Sequence, residues 1–377
     1  MTIDDILRCR PTEVSETSIQ RFVSSGKKLA VFGCGQGLKT LETFVLYKFG
    51  IKVDLYIDHK FQANDEFNGT KAINADGLAS VNASEFHVIV TISYDSYSAV
   101  EQQLSRFPFA SINSAFDLYE YHLAYIDRQS AYSVHEEIAK HFADIQAAFA
   151  LLSDDESRSV FEQLLRIYGT RNVGPVTCRP LAEQYLSSDI DLTKGYKKTI
   201  NCGAYDGDTV KNINAKHGRF DFLACLEPDL ENFRKLSKWL GDDNVGQSVA
   251  DQICLYPLAV GAQTMPIKFE SAGTNSNNVT DAGQSNALCV RLDDVIFRDD
   301  ITFINMDVEG NELDALKGAM RILNTSKPDL AISIYHRPSD LWDIILHLNS
   351  SCAGYKFAIR NYTGFPAETV LYATQMG

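Results

Sequence analysis

The feature that most constrains the fold is a glycine-containing turn that follows an apolar segment near the middle of the chain. The turn reads Asn201-Cys-Gly-Ala-Tyr-Asp-Gly-Asp208, and the next apolar segment ends in Cys225-Leu-Glu-Pro228. Glycine lets a backbone approach a ligand closely, and an acid after the neighbouring strand can accept hydrogen bonds from ribose hydroxyls. The G-x-x-x-G spacing differs from the G-x-G-x-x-G that holds a pyrophosphate. The pattern therefore predicts an α/β sheet that binds a nucleoside without phosphates.

The C-terminal half alternates strand-length apolar runs with amphipathic helical segments, which is typical of a doubly wound sheet. The runs lie at 198–202, 220–226, 254–260, 301–306, 329–335, 355–360 and 369–373. The last two are too close for a crossover helix, so we expect an antiparallel last strand. A helix is predicted over 311–323. The polar segment 271–286 is long enough to be a lid or an acceptor loop.

A second, smaller α/β pattern occupies the N-terminal half. A strand at 28–33 leads into Gly33, Gly35 and Gly37, and the next strand ends on Asp58. The third glycine falls one residue early for a dinucleotide turn, so two alternatives stay open: a retained nucleotide site, or a docking or oligomerisation domain. We predict a Rossmann-like domain at 1–130, a helical linker at 131–180 and a second Rossmann-like domain at 181–377.

Charge and composition limit the kinds of partner and the cellular compartment that we expect for this protein. The formal net charge of −14 disfavours nucleic acid or an anionic membrane surface as the main partner. The N-terminus lacks the pattern of a signal peptide, and no apolar run reaches the length of a membrane span. The eight cysteines are scattered without a C-x-x-C pair. We expect a reduced, cytoplasmic protein without a disulfide framework or zinc site.

Several segments of residues 180–377 resemble the FkbM family of S-adenosylmethionine-dependent methyltransferases. The matching segments are 183–185, 201–208, 226–228, 258–261, 292–294, 304–312 and 316–319, of which Asp307-Val-Glu-Gly-Asn-Glu312 is the most specific. The resemblance implies a seven-stranded class I methyltransferase fold and methyl transfer to an oxygen. Such proteins usually have an acid at the position of Asn201, and many of them have a lysine at the position of Asn305.

The resemblance and the turn pattern together assign residues to an S-adenosylmethionine site. The candidate cofactor-binding residues are Asn201, Gly203, Ala204, Tyr205, Asp206, Gly207, Asp208, Glu227, Pro228, Ala259, Val260 and Asp307. Glu227 is expected to bind the ribose hydroxyls.

Asp307 and His336 are the candidate catalytic residues, because methyl transfer from a hydroxyl needs a well-placed oxygen and a base. Either could be that base, and His336 could instead be a structural histidine. Arg337 is a candidate for an anionic acceptor group or a solvated charge. Asp307, Glu309 and His336 could suggest a divalent metal, but their spacing is not a known ligand signature, so we expect none.

The sequence thus predicts an S-adenosylmethionine-dependent methyltransferase that modifies a hydroxyl of a sugar, a glycan or a sugar-bearing metabolite. Such a protein would act in glycan biosynthesis and could be a homo-oligomer. One alternative is a nucleotide- or NAD-binding, sugar-modifying oxidoreductase centred on the N-terminal domain. The other is a non-catalytic cofactor-binding protein, and Asn201 is the residue that keeps this alternative open.

Overall fold

The protein divides into two compact units. The computed structural model describes residues 24–42, 46–47, 50–62, 65–92, 94–115, 134–170, 176–186, 188–269, 285–364 and 366–375. The first unit comprises Met1–Glu136, Leu165–Pro175 and Thr363–Phe365, and the second comprises Glu137–Leu164, Val176–Tyr362 and Pro366–Gly377. None of the helices in the described part of the chain is long and apolar enough to cross a membrane.

The first unit contains a six-stranded sheet with the order β3-β4-β2-β1-β5-β6. Its strands are β1 (Lys28–Phe32), β2 (Leu55–Ile57), β3 (Asp65–Phe67), β4 (Thr70–Ile73), β5 (Phe86–Val90) and β6 (Ser111–Ser114), with helices α1 (Gln36–Leu41) and α2 (Tyr94–Leu104). All pairings are parallel except that of β3 with β4. Leu29 and Val31 of β1 enter one buried cluster and Ala30 enters another, so both faces of the sheet are covered.

Three helices precede the large sheet of the second unit, which includes them except for residues 134–136 and 165–170. They are α3 (Val134–Lys140), α4 (Phe142–Ala150) and α5 (Asp155–Thr170). Helix α4 packs against the later helix Asp340–Ser351. The buried guanidinium of Arg360 pairs with Asp154, just before α5, and with Asp189. Residues 137–164 of the segment predicted as a linker are therefore packed as part of the second unit.

The main sheet of the second unit has seven strands. They are β7 (Lys198–Cys202), β8 (Phe220–Leu226), β9 (Ala250–Tyr256), β13 (Phe303–Met306), β14 (Asp329–Ser333), β15 (Tyr355–Asn361) and β16 (Thr369–Gln375). Their order is β15-β16-β14-β13-β7-β8-β9, and only β16 is antiparallel to its neighbours. The predicted α/β sheet with an antiparallel last strand is confirmed. The order reverses direction at β7 and β13, where the carboxyl ends of parallel strands open a crevice.

Helices and a small sheet complete this unit. The helices are α6 (Asp208–His217), α7 (Leu230–Leu240), α8 (Asp243–Val249), α9 (Leu292–Val295), α10 (Glu312–Lys317), α11 (Met320–Thr325) and α12 (Asp340–Ser351). The small sheet has the order β10-β12-β11 and consists of β10 (Ala259–Val260), β11 (Met265–Phe269) and β12 (Ser285–Val290). The predicted loop 271–286 lies outside the described residues except for its last two, which belong to β12.

Two predicted elements differ from the structure. The strand predicted at 254–260 is two strands, β9 and β10, separated at Pro257, which has no N–H to give to a ladder. The helix predicted at 311–323 is interrupted between α10 and α11. A Cβ on Gly318 would lie 2.0 Å from the carbonyl oxygen of Gly261, so the chain there is held by a close backbone contact that helical periodicity does not reveal.

Replacing Gly203 tests how closely the loop after β7 packs against the loop after β13. Its φ is +75°, and a Cβ there would lie 1.7 Å from the carbonyl oxygen of Asp307. Gly218 has a φ of +78° with nothing within 4 Å of its Cβ position, so it is a matched control. Gly218 has a ψ of −166°, a conformation nearly restricted to glycine, so we expect Gly218→Ala to lower the free energy of unfolding by about 1–3 kcal/mol through backbone strain alone. Gly203→Ala should cost at least twice as much in urea denaturation, and equal losses would contradict the predicted steric contact.

Candidate functional site

A cavity of about 530 Å³ lies at the carboxyl ends of β7, β8 and β13 in the second unit. This volume suits a small-molecule site. Many of the predicted site residues line it, namely Gly203, Tyr205, Asp208, Glu227, Pro228, Ala259, Val260 and Asp307. Asn201, Ala204, Asp206, Gly207 and His336 are not among the lining residues. The sheet topology thus brings together residues that are more than one hundred positions apart in the sequence.

Glu227 follows β8 and holds the glycine turn in place. Its Oε2 accepts the backbone N–H of Tyr205 at 2.8 Å, and its Oε1 accepts that of Asp229 at 2.9 Å. Burial raises the pKa of the Glu227 carboxyl to about 7, although these two amides favour the carboxylate. Each carboxylate oxygen has a further lone pair, so Glu227 can also accept hydrogen bonds from a ligand in the cavity.

The glycine turn itself is shaped by close packing. Gly207 has a φ of +91°, and a Cβ there would lie 2.7 Å from the ring of Trp239. Asn201 is buried within β7, with 1% of its surface exposed, and it is the register partner of Asn305 on the neighbouring strand β13. Asn201 and Gly207 therefore do not line the cavity. Gly207 instead allows the backbone of the turn to take a path that a residue with a Cβ could not follow.

Left-handed backbone conformations are concentrated at the cavity. Four of its lining residues have positive φ without being glycine: Tyr185, Tyr205, Glu309 and Glu368, at 61°, 47°, 56° and 52°. Such conformations are costly for residues with a Cβ and persist where the surrounding structure enforces them. In the described part of the chain, four of the six non-glycine residues with positive φ therefore line the cavity.

Asp307 follows β13 and is held by two phenols. Its Oδ2 accepts the hydroxyl of Tyr185 at 2.7 Å and that of Tyr335 at 3.3 Å. Burial and the Asp307 charge hold the pKa of Tyr185 well above its usual value, so this phenol keeps its proton. The carboxylate of Asp307 is therefore fixed at the crevice with its position set from two sides.

His336 contacts three carboxylates. Its Nδ1 lies 2.8 Å from Oε1 of Glu312, and its Nε2 lies 3.3 Å from Oε2 of Glu309 and 3.5 Å from Oδ1 of Asp307. Burial opposes the charged imidazolium, but the charges and hydrogen bonds of Glu312 and Glu309 outweigh it and raise the pKa of His336 well above its usual value.

The structure places the predicted catalytic residue His336 outside the lining of the cavity. The ring is 3% exposed and is not among the residues that line the cavity. With its pKa raised, it carries its proton at neutral pH and has no free lone pair with which to accept another. The histidine at the end of the β14 segment is positioned by the fold to neutralise carboxylates.

Ligand atoms of Asp307, Glu312 and His336 lie within 4.8 Å of one another, a grouping that could hold a metal ion. Glu312 has another explanation for its position, because its Oε1 accepts the backbone N–H groups of Val308 and Gly310. Glu312 closes the turn after β13 and enters α10 with its carboxylate fully buried. The two amides and His336 all engage Oε1 of this carboxylate.

Sequence reasoning missed several cavity residues. Gln184 and Tyr185 belong to a segment noted only for its resemblance, and Glu368 precedes β16 in a stretch without any motif. Tyr335, at the end of the strand predicted at 329–335, also lines the cavity and is marked by no motif. The signal that distinguishes Glu368 is its positive φ, in a turn beside a predicted strand. Sequence alone does not give φ.

The candidate nucleotide residues of the first unit have local roles. Oδ2 of Asp58 accepts the N–H of Cys34 at 2.6 Å, and Oδ1 accepts that of Lys60 at 3.1 Å. A Cβ on Gly37 would lie 2.0 Å from the carbonyl oxygen of Thr91, and one on Gly33 would lie 2.8 Å from the side chain of Ile92. These glycines allow the turn to pack closely against the segment that follows β5.

Replacing His336 tests its role in holding the carboxylate cluster. His336→Gln removes the cation beside the fully buried Glu312, so we expect a loss of about 3–5 kcal/mol in the free energy of unfolding. Because the folded pKa is raised, this stabilisation is complete below the unfolded pKa of about 6.5 and is lost as pH rises through the folded value. Urea denaturation from pH 6 to 9 should therefore show the gap to wild type narrowing with pH.

His347→Gln is the matched control for this measurement. Burial lowers the pKa of His347, so its ring is neutral above pH 6.5 and its contribution does not change there. A gap for His336→Gln that stays constant from pH 6 to 9 would contradict the charged state assigned to His336.

Comparisons with known proteins agree with this geometry. Residues 201–357 match the family described as the methyltransferase FkbM domain. The solved structure of a methyltransferase FkbM from Methylobacillus flagellatus KT superposes with a TM-score of 0.67 and 22% identity, covering 98% of this chain and 95% of that one. No curated protein sequence matches the chain.

Two other solved structures show weaker similarity. One is a proposed rRNA-methylase from Clostridium thermocellum, with a TM-score of 0.33 and 11% identity over 54% of this chain and 99% of that one. The other is the N-terminal domain of human METTL16 in complex with SAH, with a TM-score of 0.32 and 10% identity over 65% and 96%. Residues 201–357 are therefore similar in sequence to the methyltransferase FkbM domain, and the chain shares its fold with the Methylobacillus flagellatus protein.

Proposed function

We propose that this protein is an S-adenosylmethionine-dependent O-methyltransferase whose acceptor is a hydroxyl of a sugar, a glycan or a sugar-bearing metabolite. The observation that carries the proposal is Glu227, a carboxylate on the cavity wall beside the glycine turn, at the end of the strand next to the switch point of the sheet. In this position it can bind vicinal hydroxyls of a ribose.

The charge of the cavity fits a phosphate-free, cationic nucleoside. Five carboxylates line it, and no lysine, arginine or histidine is among the lining residues that the structure describes. The carboxylates are those of Asp208, Glu227, Asp307, Glu309 and Glu368. A pyrophosphate would meet repulsion here without a compensating cation. This disfavours NAD or a nucleotide sugar in the cavity, and Arg337 is not placed to hold an anionic acceptor there.

The residues of the site would have different roles in methyl transfer. S-adenosylmethionine, when bound, supplies a methyl group on a positively charged sulfur. The glycine turn and Glu227 would hold its nucleoside, and Asp307 offers negative charge at the crevice between β7 and β13. Tyr185 and Tyr335 keep Asp307 in place, and His336 limits the repulsion between Asp307 and Glu309. Fixed positions of this kind supply most of the rate in a displacement at carbon.

The second unit is the better location for the activity. The glycines and Asp58 of the first unit are explained by local packing and by amide contacts, as described above. We therefore keep the oxidoreductase alternative only as an outcome of the binding test. The cysteines that the structure describes are free, which agrees with a cytoplasmic protein.

Binding of S-adenosylhomocysteine, measured by calorimetry, tests the cofactor assignment. We expect saturable binding to wild type and a Kd raised at least tenfold in Glu227→Gln, because hydrogen bonds to a charged group contribute about 1.5–3 kcal/mol. Glu231→Gln is the control, since Glu231 is an exposed carboxylate that pairs with Lys235. NAD titrated in parallel should not bind this site, and NAD binding without S-adenosylhomocysteine binding would move the function to the first unit.

The acceptor class is tested by transfer of a labelled methyl group to pairs of sugars that differ only in a phosphate. Because the described cavity wall carries carboxylates and no basic side chain, we expect the neutral sugar of each pair to be methylated at least tenfold faster. Mass spectrometry of the product locates the methyl group on an oxygen. Preference for the phosphorylated partner would contradict the proposed acceptor class.

A further inference from the structure

Glu368 occupies a constrained position at the cavity. It immediately precedes β16 and lines the cavity, with a φ of +52°. Its backbone carbonyl accepts the N–H of Tyr362 at 3.1 Å, and its Oε2 accepts the side-chain amide of Gln184 at 2.5 Å. A strained backbone and a hydrogen bond to another cavity residue thus fix the direction of this carboxylate.

Three of the other four carboxylates of the cavity wall have partners that differ from that of Glu368. Asp307 accepts two phenols and lies beside the charged His336. Both oxygens of Glu227 accept backbone amides, and Glu309 pairs with His336. The hydrogen bond on Glu368 comes from the side-chain amide of another cavity residue, and each oxygen of its carboxylate keeps a further lone pair with which to accept a proton.

We propose that Glu368 accepts the proton of the acceptor hydroxyl during methyl transfer. This rests on the proposed function. As the hydroxyl oxygen forms its bond to the methyl carbon, the bond from that carbon to sulfur breaks and its electron pair stays on sulfur, which becomes neutral. The hydroxyl proton passes to the Glu368 carboxylate, which becomes a neutral acid and returns the proton to solvent after the product leaves.

A base in this position responds to the charge of the cofactor. The attacking oxygen must lie about 3–3.5 Å from the methyl carbon and about 3 Å from its base, so the base lies near the positive sulfur. Burial and the charge of Asp307 raise the pKa of Glu368 to about 7, with Glu309 acting in the same direction and Gln184 and His336 opposing. An added cation nearby favours the carboxylate and lowers the pKa of such a group by about 1–3.

Glu368 is therefore poised to lose its proton when the cofactor binds. At pH 7 about half of the free enzyme carries the neutral acid, and binding of the sulfonium converts it to the carboxylate. S-adenosylhomocysteine has the same nucleoside and amino acid groups but a neutral sulfur, so it should leave the proton in place. The base is thus active only when a methyl donor is present.

Calorimetry at pH 7 in two buffers of different ionisation enthalpy measures the protons released on binding. We expect S-adenosylmethionine to release about half a proton more than S-adenosylhomocysteine. Glu368→Gln should abolish this difference, with both ligands compared at saturation. Glu231→Gln, which changes an exposed carboxylate outside the cavity, should retain the difference.

Gln184→Met supplies a second variant that keeps Glu368. Removing the amide donor raises the pKa of Glu368, so more of the free enzyme is protonated at pH 7 and the difference between the two ligands should grow. This variant decides the matter if Glu368→Gln fails to fold.

Each outcome bears on one of the two proposals. Equal proton release with the two ligands in wild type, or an unchanged difference in Glu368→Gln, would overturn the role of Glu368 and leave the proposed function standing. Failure of both ligands to bind would overturn the proposed function, and the role of Glu368 with it.

Discussion

The site depends on one buried imidazolium. His336 lies between Glu312 on one ring nitrogen and Glu309 and Asp307 on the other, and without its charge the carboxylates after β13 would repel one another. Glu312 also closes the turn that precedes α10, so the same contact fixes the local backbone. The direction of Asp307 at the crevice follows from this cluster and from the two phenols, and the cavity wall is built on that arrangement.

The carboxylates of the cavity wall have different hydrogen-bond and ionic partners, and we assign them different roles. Two backbone amides fix Glu227 to the glycine turn, whereas phenols and an imidazolium fix Asp307. Glu368 has a neutral amide partner and a pKa near neutrality. A set of similar side chains thus provides a ribose ligand, a fixed negative charge and a titratable group. Burial raises the pKa of both Glu227 and Glu368 to about 7, so the place of each carboxylate on the cavity wall, and not its pKa, makes this division.

The sequence was sufficient for the fold and for part of the cavity. Periodicity located the seven strands of the main sheet, and the G-x-x-x-G turn with Glu227 located one wall of the cavity, because strand order makes those ends neighbours. The role of His336 could not be predicted, since it depends on three carboxylates that the fold brings to one ring. Glu368 was missed because its signal is a backbone conformation, and α10 ends at a close contact with Gly261 that no local pattern encodes.

The two units show why a glycine turn followed by an acid is an ambiguous motif. Asp58 in the first unit and Glu227 in the second both accept backbone amides from their own glycine turn, so the acid has a structural task in either case. Glu227 differs because its turn runs beside residues with strained φ and beside the fixed carboxylate of Asp307, on the wall of a cavity. The motif therefore specifies how a turn is closed after a strand, and the neighbouring strands decide whether that turn also faces a ligand.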